Sequence, residues 1–269
     1  MSAPRWLSHF GLDAAPFSKD IEDSKLWVPA SRKAIVDEFV DACRERGHVV
    51  LTGEPGVGKT CVLRAVRQRL KNGFRITYCH NVTLGRRDFY RQLCTSLGLN
   101  PKATAAGVFS SITEHISELE KDRIHPVFLI DEAQLLSQQI LEHLHILSNY
   151  GWDSMPLLSL ALVGLPDLEE QLRFRKNRAL WSRIHTRLRL GEAKVDDTAE
   201  YIAHRLEHAG VKTRLFDSEA LTILHEATGG KLRDIDRVAT NALKAAARRK
   251  VKLVDRHLIA DDAQTDSDD

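Results

Sequence analysis

The stretch Gly53-Glu54-Pro55-Gly56-Val57-Gly58-Lys59-Thr60 sits between an apolar run, Val49-Val50-Leu51, and a helical pattern from Cys61 to Leu70. It has the G-x-x-x-x-G-K-[ST] form of a phosphate loop, in the strand–loop–helix context that gives this form its chemistry. The glycines let the backbone curl until successive N–H groups point inward at a phosphate, and the helix that follows favours negative charge at its start. Lys59 supplies a point charge for the β- and γ-phosphates, and the Thr60 hydroxyl is a ligand for Mg²⁺. Residues Gly53 to Cys61 are therefore the expected cradle of a nucleoside triphosphate. The competing reading, an ordinary Gly/Pro-rich turn before a helix, is disfavoured by the flanking strand and helix patterns.

A second stretch, Pro126-Val127-Phe128-Leu129-Ile130-Asp131-Glu132, ends an apolar run in two acids. Four consecutive large apolar residues predict a strand buried on both faces of a parallel sheet. Acids at its carboxyl end fall where open α/β sheets place their ligands. Asp131 is expected to hold the Mg²⁺ shell, with Glu132 orienting and deprotonating the attacking water. The alternative is a helix starting at Asp131, with Glu132 as a first-turn acid favoured by the helix dipole.

The 269 residues suffice for one large α/β domain and a smaller one. Charged residues make up 28% and hydrophobic residues 43%, a soluble globular balance. No apolar run reaches the length of a membrane span, and the opening MSAPRWLSHF lacks a signal-peptide core. Cys43, Cys61, Cys79 and Cys94 show no metal-site or disulfide spacing, so reduced, mostly buried cysteines in a cytoplasmic protein are expected. The formal charge of +2 hides an asymmetry. Setting aside the five acids of the terminal DDAQTDSDD leaves 39 Lys+Arg against 32 Asp+Glu, about +7. That tail, 261–269, is expected to be disordered, and the basic body is compatible with a polyanionic partner.

Along the chain, residues 1–30 read as an irregular lead-in punctuated by Pro4, Pro16 and Pro29 among Trp6, Phe10, Phe17 and Trp27. A helix over 31–46 follows. Strands are expected at 49–52, 75–79, 127–130, 157–163 and 185–190. Helices are expected at 60–71, 86–97, 105–121, 137–150 and 166–174. The alternation predicts right-handed β-α-β units and a parallel sheet. After Lys194 the pattern is purely helical, at 197–209, 218–227, 232–249 and 255–261. An α/β domain over 31–194 is thus followed by a small helical domain over 195–260.

Three further features carry possible chemistry. In Thr228-Gly229-Gly230-Lys231-Leu232-Arg233 a Gly-Gly break precedes a helix with an arginine in its first turn. The helix dipole disfavours a cation there, so a γ-phosphate reached by Arg233 would rationalise it, and a surface arginine is the plain alternative. The arginine-dense stretch from Arg173 to Arg189 flanks Trp181 and Ile184. It reads as a solvated face, a phosphate-contact strip, or the source of an arginine finger for a neighbouring subunit. Arg86, Arg87 and Arg91, with Lys102, Thr83 and Thr104 nearby, form either a solvated face or a backbone-tracking nucleic-acid contact. Lys244, Arg248, Arg249, Lys250 and Lys252 close the last long helix, where cations suit the helix C-terminus.

Together these residues resemble the AAA+ superfamily of ATPases. Within it they resemble the group holding ExeA-type secretion ATPases and the ATPase regulators of bacterial DNA transposition, the TnsC, TniB, MuB and IstB proteins. The resemblance rests on Phe10-Gly11-Leu12 with Pro16-Phe17, then on LTGEPGVGKT, FLIDEAQLL, LALVGLPDLEEQL, WSRIHTRLRL and TGGKLRDIDRVATNAL. It implies an AAA+ phosphate-loop NTPase core with a helical lid, and ATP with Mg²⁺ hydrolysed to ADP and phosphate. It puts the finger acting in trans on Arg183, with Arg175 and Arg178 as neighbouring candidates, and the second sensor on Arg233. The first sensor departs from the pattern: Val163-Gly164-Leu165 stands where Asn or Thr is common, and the nearest polar residue is Ser159.

The expectation that follows is an ATP-dependent ATPase binding duplex DNA without sequence preference, through Arg86, Arg87, Lys102 and Thr104. It would form a homo-oligomer on target DNA, a ring or helical filament of about six or seven subunits per turn, and recruit or activate a transposase. The alternatives are an ExeA-like ATPase assisting secretion-system assembly and another ATP-dependent DNA regulator. The lack of a membrane span and of a cell-wall-binding domain after the lid weighs against the ExeA-like reading. The short run after Arg249 leaves no room for the winged helix of a replication initiator.

Overall fold

The strands form where apolar residues run together between turn residues. In the computed structural model, which describes residues 4–79, 83–102, 104–150 and 155–259, these are β1 (Val49–Thr52), β2 (Phe74–Cys79), β3 (His125–Ile130), β4 (Ser159–Gly164) and β5 (Thr186–Arg189). They make one parallel sheet in the order β2-β3-β4-β1-β5. Every residue of β1, β3 and β4 is buried, as continuous apolar runs require in a sheet covered on both faces. The edge strands β2 and β5 carry the exposed positions. Thr52 aligns with Gly164 and Arg189, and Cys79 with Ile130, so the carboxyl ends of all five strands share one edge.

The helices are α1 (Arg5–Phe10), α2 (Ala30–Arg44), α3 (Lys59–Arg69), α4 (Arg86–Ser96), α5 (Ala105–Lys121), α6 (Gln138–Leu147), α7 (Asp167–Arg173), α8 (Arg178–Trp181), α9 (Val195–His208), α10 (Ser218–Thr228) and α11 (Leu232–Arg248). Caps set several boundaries. Thr104 accepts from Gly107 N at 3.1 Å to start α5, and Asp217 accepts from Ala220 N at 2.6 Å to start α10. Both satisfy N–H groups that a helix leaves open at its start. Most expected elements lie within three residues of these bounds. Leu157 and Leu158 are buried but precede β4.

The chain divides into two compact units. One comprises 30–54 and 62–190. Its core packs Phe128, Ile130, Leu160 and Leu162 of the sheet against Phe89 and Leu93 of α4, Ile112 and Ile116 of α5, and Leu141 and Leu144 of α6. The other comprises 4–29, 55–61 and 191–259. Its core joins Leu7, Phe10, Leu12, Phe17 and Trp27 with Ile202, Leu206, Leu224, Ile235, Val238 and Leu243. The sequence reading of 1–30 as an irregular lead-in is corrected here. Residues 5–10 are helical, and Phe10, Phe17 and Trp27 are core with the C-terminal helices. Burial of those side chains offsets the ordering entropy that an isolated lead-in could not. The α/β domain read over 31–194 includes the phosphate loop, whereas residues 55–61 of that loop group with this second unit. The acidic tail lies outside the described residues.

All four cysteines are free thiols, and three of them are buried. Among the described residues no helix is long and apolar enough to cross a membrane.

Candidate functional site: a phosphate loop and a carboxyl-edge acidic turn

The phosphate loop follows β1 directly. Gly56 and Gly58 take φ of +84° and +101°, a region that L side chains rarely enter. Val57 is fully buried and anchors the loop. Lys59 opens α3, whose first turn holds no acid, so the helix start is left to an anion. Lys59 itself is buried and Thr60 exposed. This donor set of curled backbone, lysine and hydroxyl fits a triphosphate.

The loop is braced by the start of α11. The Arg233 amide donates to the Gly56 carbonyl at 3.2 Å. A Cβ on Gly56 would lie 3.1 Å from the Arg233 Cβ. Arg233, expected as the second sensor, thus adjoins the phosphate loop, with its side chain exposed. Gly230 reaches this arrangement through its carbonyl, which accepts from Ala193 N at 3.0 Å.

In the α/β unit, Asp131 and Glu132 follow β3 at the carboxyl edge. They do not start an α-helix: a short 3-10 turn, Ala133–Leu135, comes next. Asp131 is 8% exposed, and both its oxygens are engaged. Tyr78 Oη donates to Oδ2 at 2.8 Å, and Glu132 N donates to Oδ1 at 3.0 Å. Burial, then this bond to Asp131, pushes the Tyr78 phenol up, so it stays a donor at neutral pH. No cluster of three or more His, Cys, Asp or Glu residues forms a metal cage among the described residues. A single held carboxylate fits Mg²⁺, which usually takes few protein ligands and completes its shell with phosphates and water.

Glu132 has a left-handed backbone, φ 54° and ψ 37°. The other non-glycine residues at positive φ, Arg46, Arg123 and Lys250, follow the ends of α2, α5 and α11, where this conformation terminates helices. Glu132 has no such excuse, and strain of this kind gathers at functional positions.

Sequence reasoning missed Gln134. Its Nε2 donates to Glu132 Oε2 at 2.8 Å, and its Oε1 accepts from Leu165 N at 3.2 Å. It therefore ties the acidic turn to the end of β4. The contact exists because residue 164 is glycine: a Cβ there would fall 2.5 Å from Gln134 Oε1. Gln171 Nε2 donates to the Gln134 carbonyl at 3.0 Å, and buried Asn177 donates to the Gln171 carbonyl at 2.7 Å. Gln134 thus stands where a first sensor was sought after β4. Ser159 does not: it opens β4 at the opposite edge, fully buried, 2.9 Å from His125 Nε2.

The arginine-dense stretch resolves into separate roles. Arg189 clamps the Glu169 carboxylate with two hydrogen bonds, 2.9 and 2.6 Å, while Thr52 donates to it at 3.1 Å. The Arg189 bonds lead in holding the Glu169 carboxyl below its ordinary range. Arg173 reaches the same carboxylate at 3.4 Å, and Arg187 stacks 3.6 Å from the Trp181 ring centroid. Arg183 is half-buried, and its Nη1 donates to the Ala179 carbonyl at 2.9 Å. Arg175 and Arg178 are exposed beside Phe174, itself 59% exposed.

Of the residues expected on DNA, Arg86, Arg87 and Lys102 are exposed. Thr104 is also exposed, but its hydroxyl oxygen serves as the N-cap of α5. Arg91 Nη1 donates to the Lys102 carbonyl at 3.4 Å.

Residues 42–172 match the family model for the AAA domain. The general secretion pathway protein A of Aeromonas hydrophila is 34% identical over 250 residues, 91% of this chain, and the chain spans 46% of that protein's length. Cdc6p from Pyrobaculum aerophilum superimposes with a TM-score of 0.69 at 18% identity, covering 87% of this chain and 68% of that one. The Aeropyrum pernix ORC1 protein in complex with DNA gives 0.69 at 17% identity, covering 93% and 68%. The Thermotoga maritima RuvB Holliday junction branch migration motor gives 0.60 at 18% identity, covering 87% and 68%. At these identities the likeness to the solved structures is one of fold. A parallel sheet in the order β2-β3-β4-β1-β5, a phosphate loop after β1, paired acids after β3 and a C-terminal helical region make this an AAA+ fold, and residues 42–172 match the AAA domain.

Proposed function

We propose that this chain is an ATPase of the ExeA kind, which hydrolyses ATP to assist the assembly of a secretion system. The observation that carries the reading is the 34% identity to general secretion pathway protein A along 91% of the chain. The motif-based preference for a DNA-transposition regulator draws no such support. Phosphate loop, acidic pair and arginines belong to both groups, so those motifs could not separate them. Duplex DNA and a transposase therefore become the second reading. The DNA in the ORC1 structure belongs to a protein only 17% identical.

In the proposed chemistry, residues Gly53 to Cys61 hold the phosphates, and Lys59 neutralises the β/γ oxygens. Mg²⁺, taken by Thr60 and Asp131, would supply charge neutralisation to the phosphates when bound. Asp131 is held by Tyr78 and by the Glu132 amide, so its carboxylate does not rotate freely. Glu132 orients the attacking water and accepts its proton, with Gln134 fixing the direction of its carboxylate. Arg233 and an arginine of a neighbouring subunit are assigned to the developing phosphate charge, so a homo-oligomer is the working form.

The test is made in a strain lacking this gene. Loss of exported proteins from the medium, restored by the wild type but not by Lys59→Ala, is the expected result. Normal export, together with an ATP-dependent, salt-sensitive shift of duplex DNA by the purified protein, would return the transposition reading to first place.

A further inference from the structure

Helices α1 and α11 enclose a groove of about 530 Å³ lined by Arg5, Trp6, His9, Lys244, Ala247 and Arg248. No acid lines it. Arg5, Lys244 and Arg248 are exposed, and among the described residues none of the three pairs with a carboxylate. Cations gathered around a half-buried indole, with no carboxylate paired to them among the described residues, raise the local potential and attract an anionic surface.

The same face continues past the end of α11. Arg249, Lys250 and Lys252 are exposed there. Lys250, at φ 58°, turns the chain out of the helix, and the following segment is tied to α1. The ring nitrogen His9 Nε2 lies 2.8 Å from the Val251 carbonyl, and Lys252 Nζ donates to the His9 carbonyl. Held in this way, the segment leaves Val251 40% and Leu253 46% exposed beside the lysines.

We propose that this face docks on an anionic phospholipid surface. Val251, Leu253 and the Trp6 ring would enter the headgroup layer, and Arg5, Lys244, Arg248, Lys250 and Lys252 would meet the phosphates. The exposed aliphatic side chains decide between polyanions. A nucleic-acid backbone rewards cations and hydrogen-bond donors only. A lipid interface takes both kinds of group at once, cations on anionic headgroups and aliphatic or indole side chains just below them. The inference goes beyond the ATPase reading and does not depend on it.

The experiment is co-sedimentation of the full chain with phosphatidylglycerol-containing vesicles and with pure phosphatidylcholine vesicles. Binding to the first and not the second is expected, weakening as salt shortens the reach of the charges. Lys244→Glu combined with Arg248→Glu should lower the vesicle affinity about tenfold or more. Arg5→Glu, on the opposite wall, should act in the same direction. Val251→Ser with Leu253→Ser should reduce the binding that survives high salt. ATP turnover and the melting temperature should stay at wild-type values, which separates this proposal from the ATPase reading. Equal binding to both vesicle types, or unchanged binding by both charge variants, would overturn it. So would binding of duplex DNA that is lost in the charge variants while vesicle binding persists.

Discussion

Replacing Gln134 by Ala removes one hydrogen bond to a charged acceptor, the 2.8 Å contact with Glu132, and one to the Leu165 amide at 3.2 Å. Bonds to charged groups are worth about 1.5–3 kcal/mol. Near 1.4 kcal/mol per factor of ten, releasing Glu132 lowers kcat roughly 10- to 100-fold if its direction matters only in the transition state. KM for ATP should hardly change, because Gln134 touches the acidic turn and the end of β4, not the phosphate loop. Gln134→Glu sharpens the test. It keeps an acceptor for Leu165 N but sets a carboxylate against Glu132, and a like charge raises a carboxyl pKa. The acid limb of the kcat–pH profile should therefore move to higher pH. The assay is steady-state ATP hydrolysis against ATP concentration, repeated across the acid and neutral range. Wild-type kcat in Gln134→Ala with an unmoved acid limb in Gln134→Glu would refute the positioning role.

Gly56→Ala must hold an L residue at φ +84°, at about 1–2 kcal/mol, with its Cβ 3.1 Å from that of Arg233. Calorimetric ATP affinity should fall about tenfold by that amount, and unchanged affinity would detach the loop from nucleotide binding. His125 is 4% exposed, and burial, helped by Arg46, pushes its imidazole down from 6.5 to about 4. The folded state therefore holds fewer protons than the unfolded one, so stability present above 6.5 is lost as pH falls toward 4, at most about 3 kcal/mol. Urea midpoints above and below that window should separate in the wild type and converge in His125→Gln, and an equal separation in the variant would contradict this. Turnover per subunit should rise with protein concentration. Arg183, where the resemblance puts the finger, has its guanidinium bonded to the Ala179 carbonyl of α8, so exposed Arg178 or Arg175 should be needed for the rise and Arg183→Ala should retain it. Mixing the inactive arginine variant with Glu132→Gln should recover activity, and no recovery would argue against a site completed in trans.

The parts of the fold legible in the sequence were those that one local pattern determines. β1, β3 and β4 are buried on both faces, so their apolar runs stand out, and Gly53–Thr60 carries the phosphate-loop pattern within eight residues. The first 30 residues were not legible. Leu7, Phe10 and Trp27 are core residues of helices nearly 200 positions away in the chain, and α1 is too short for its periodicity to show. Gln134 was hidden for a related reason. Its role depends on Gly164 having no side chain, a contact across 30 positions that neither segment announces alone. The first sensor could not be placed from the sequence, because the nearest polar residue on that strand, Ser159, sits at its amino end beside His125. Secretion and transposition ATPases share the same core motifs, so the motifs do not separate them and the proposed preference rests on similarity along most of the chain.

The central proposal is that the phosphate loop holds ATP and Glu132 carries its hydrolysis. The direct test is Mg-ATP binding and single-turnover hydrolysis measured side by side for the wild type, Lys59→Ala and Glu132→Gln. Lys59→Ala should lose binding, while Glu132→Gln should bind as the wild type does and turn over about 100-fold more slowly or worse, since an amide cannot accept the water's proton. Wild-type turnover by Glu132→Gln, or undiminished binding by Lys59→Ala, would contradict it.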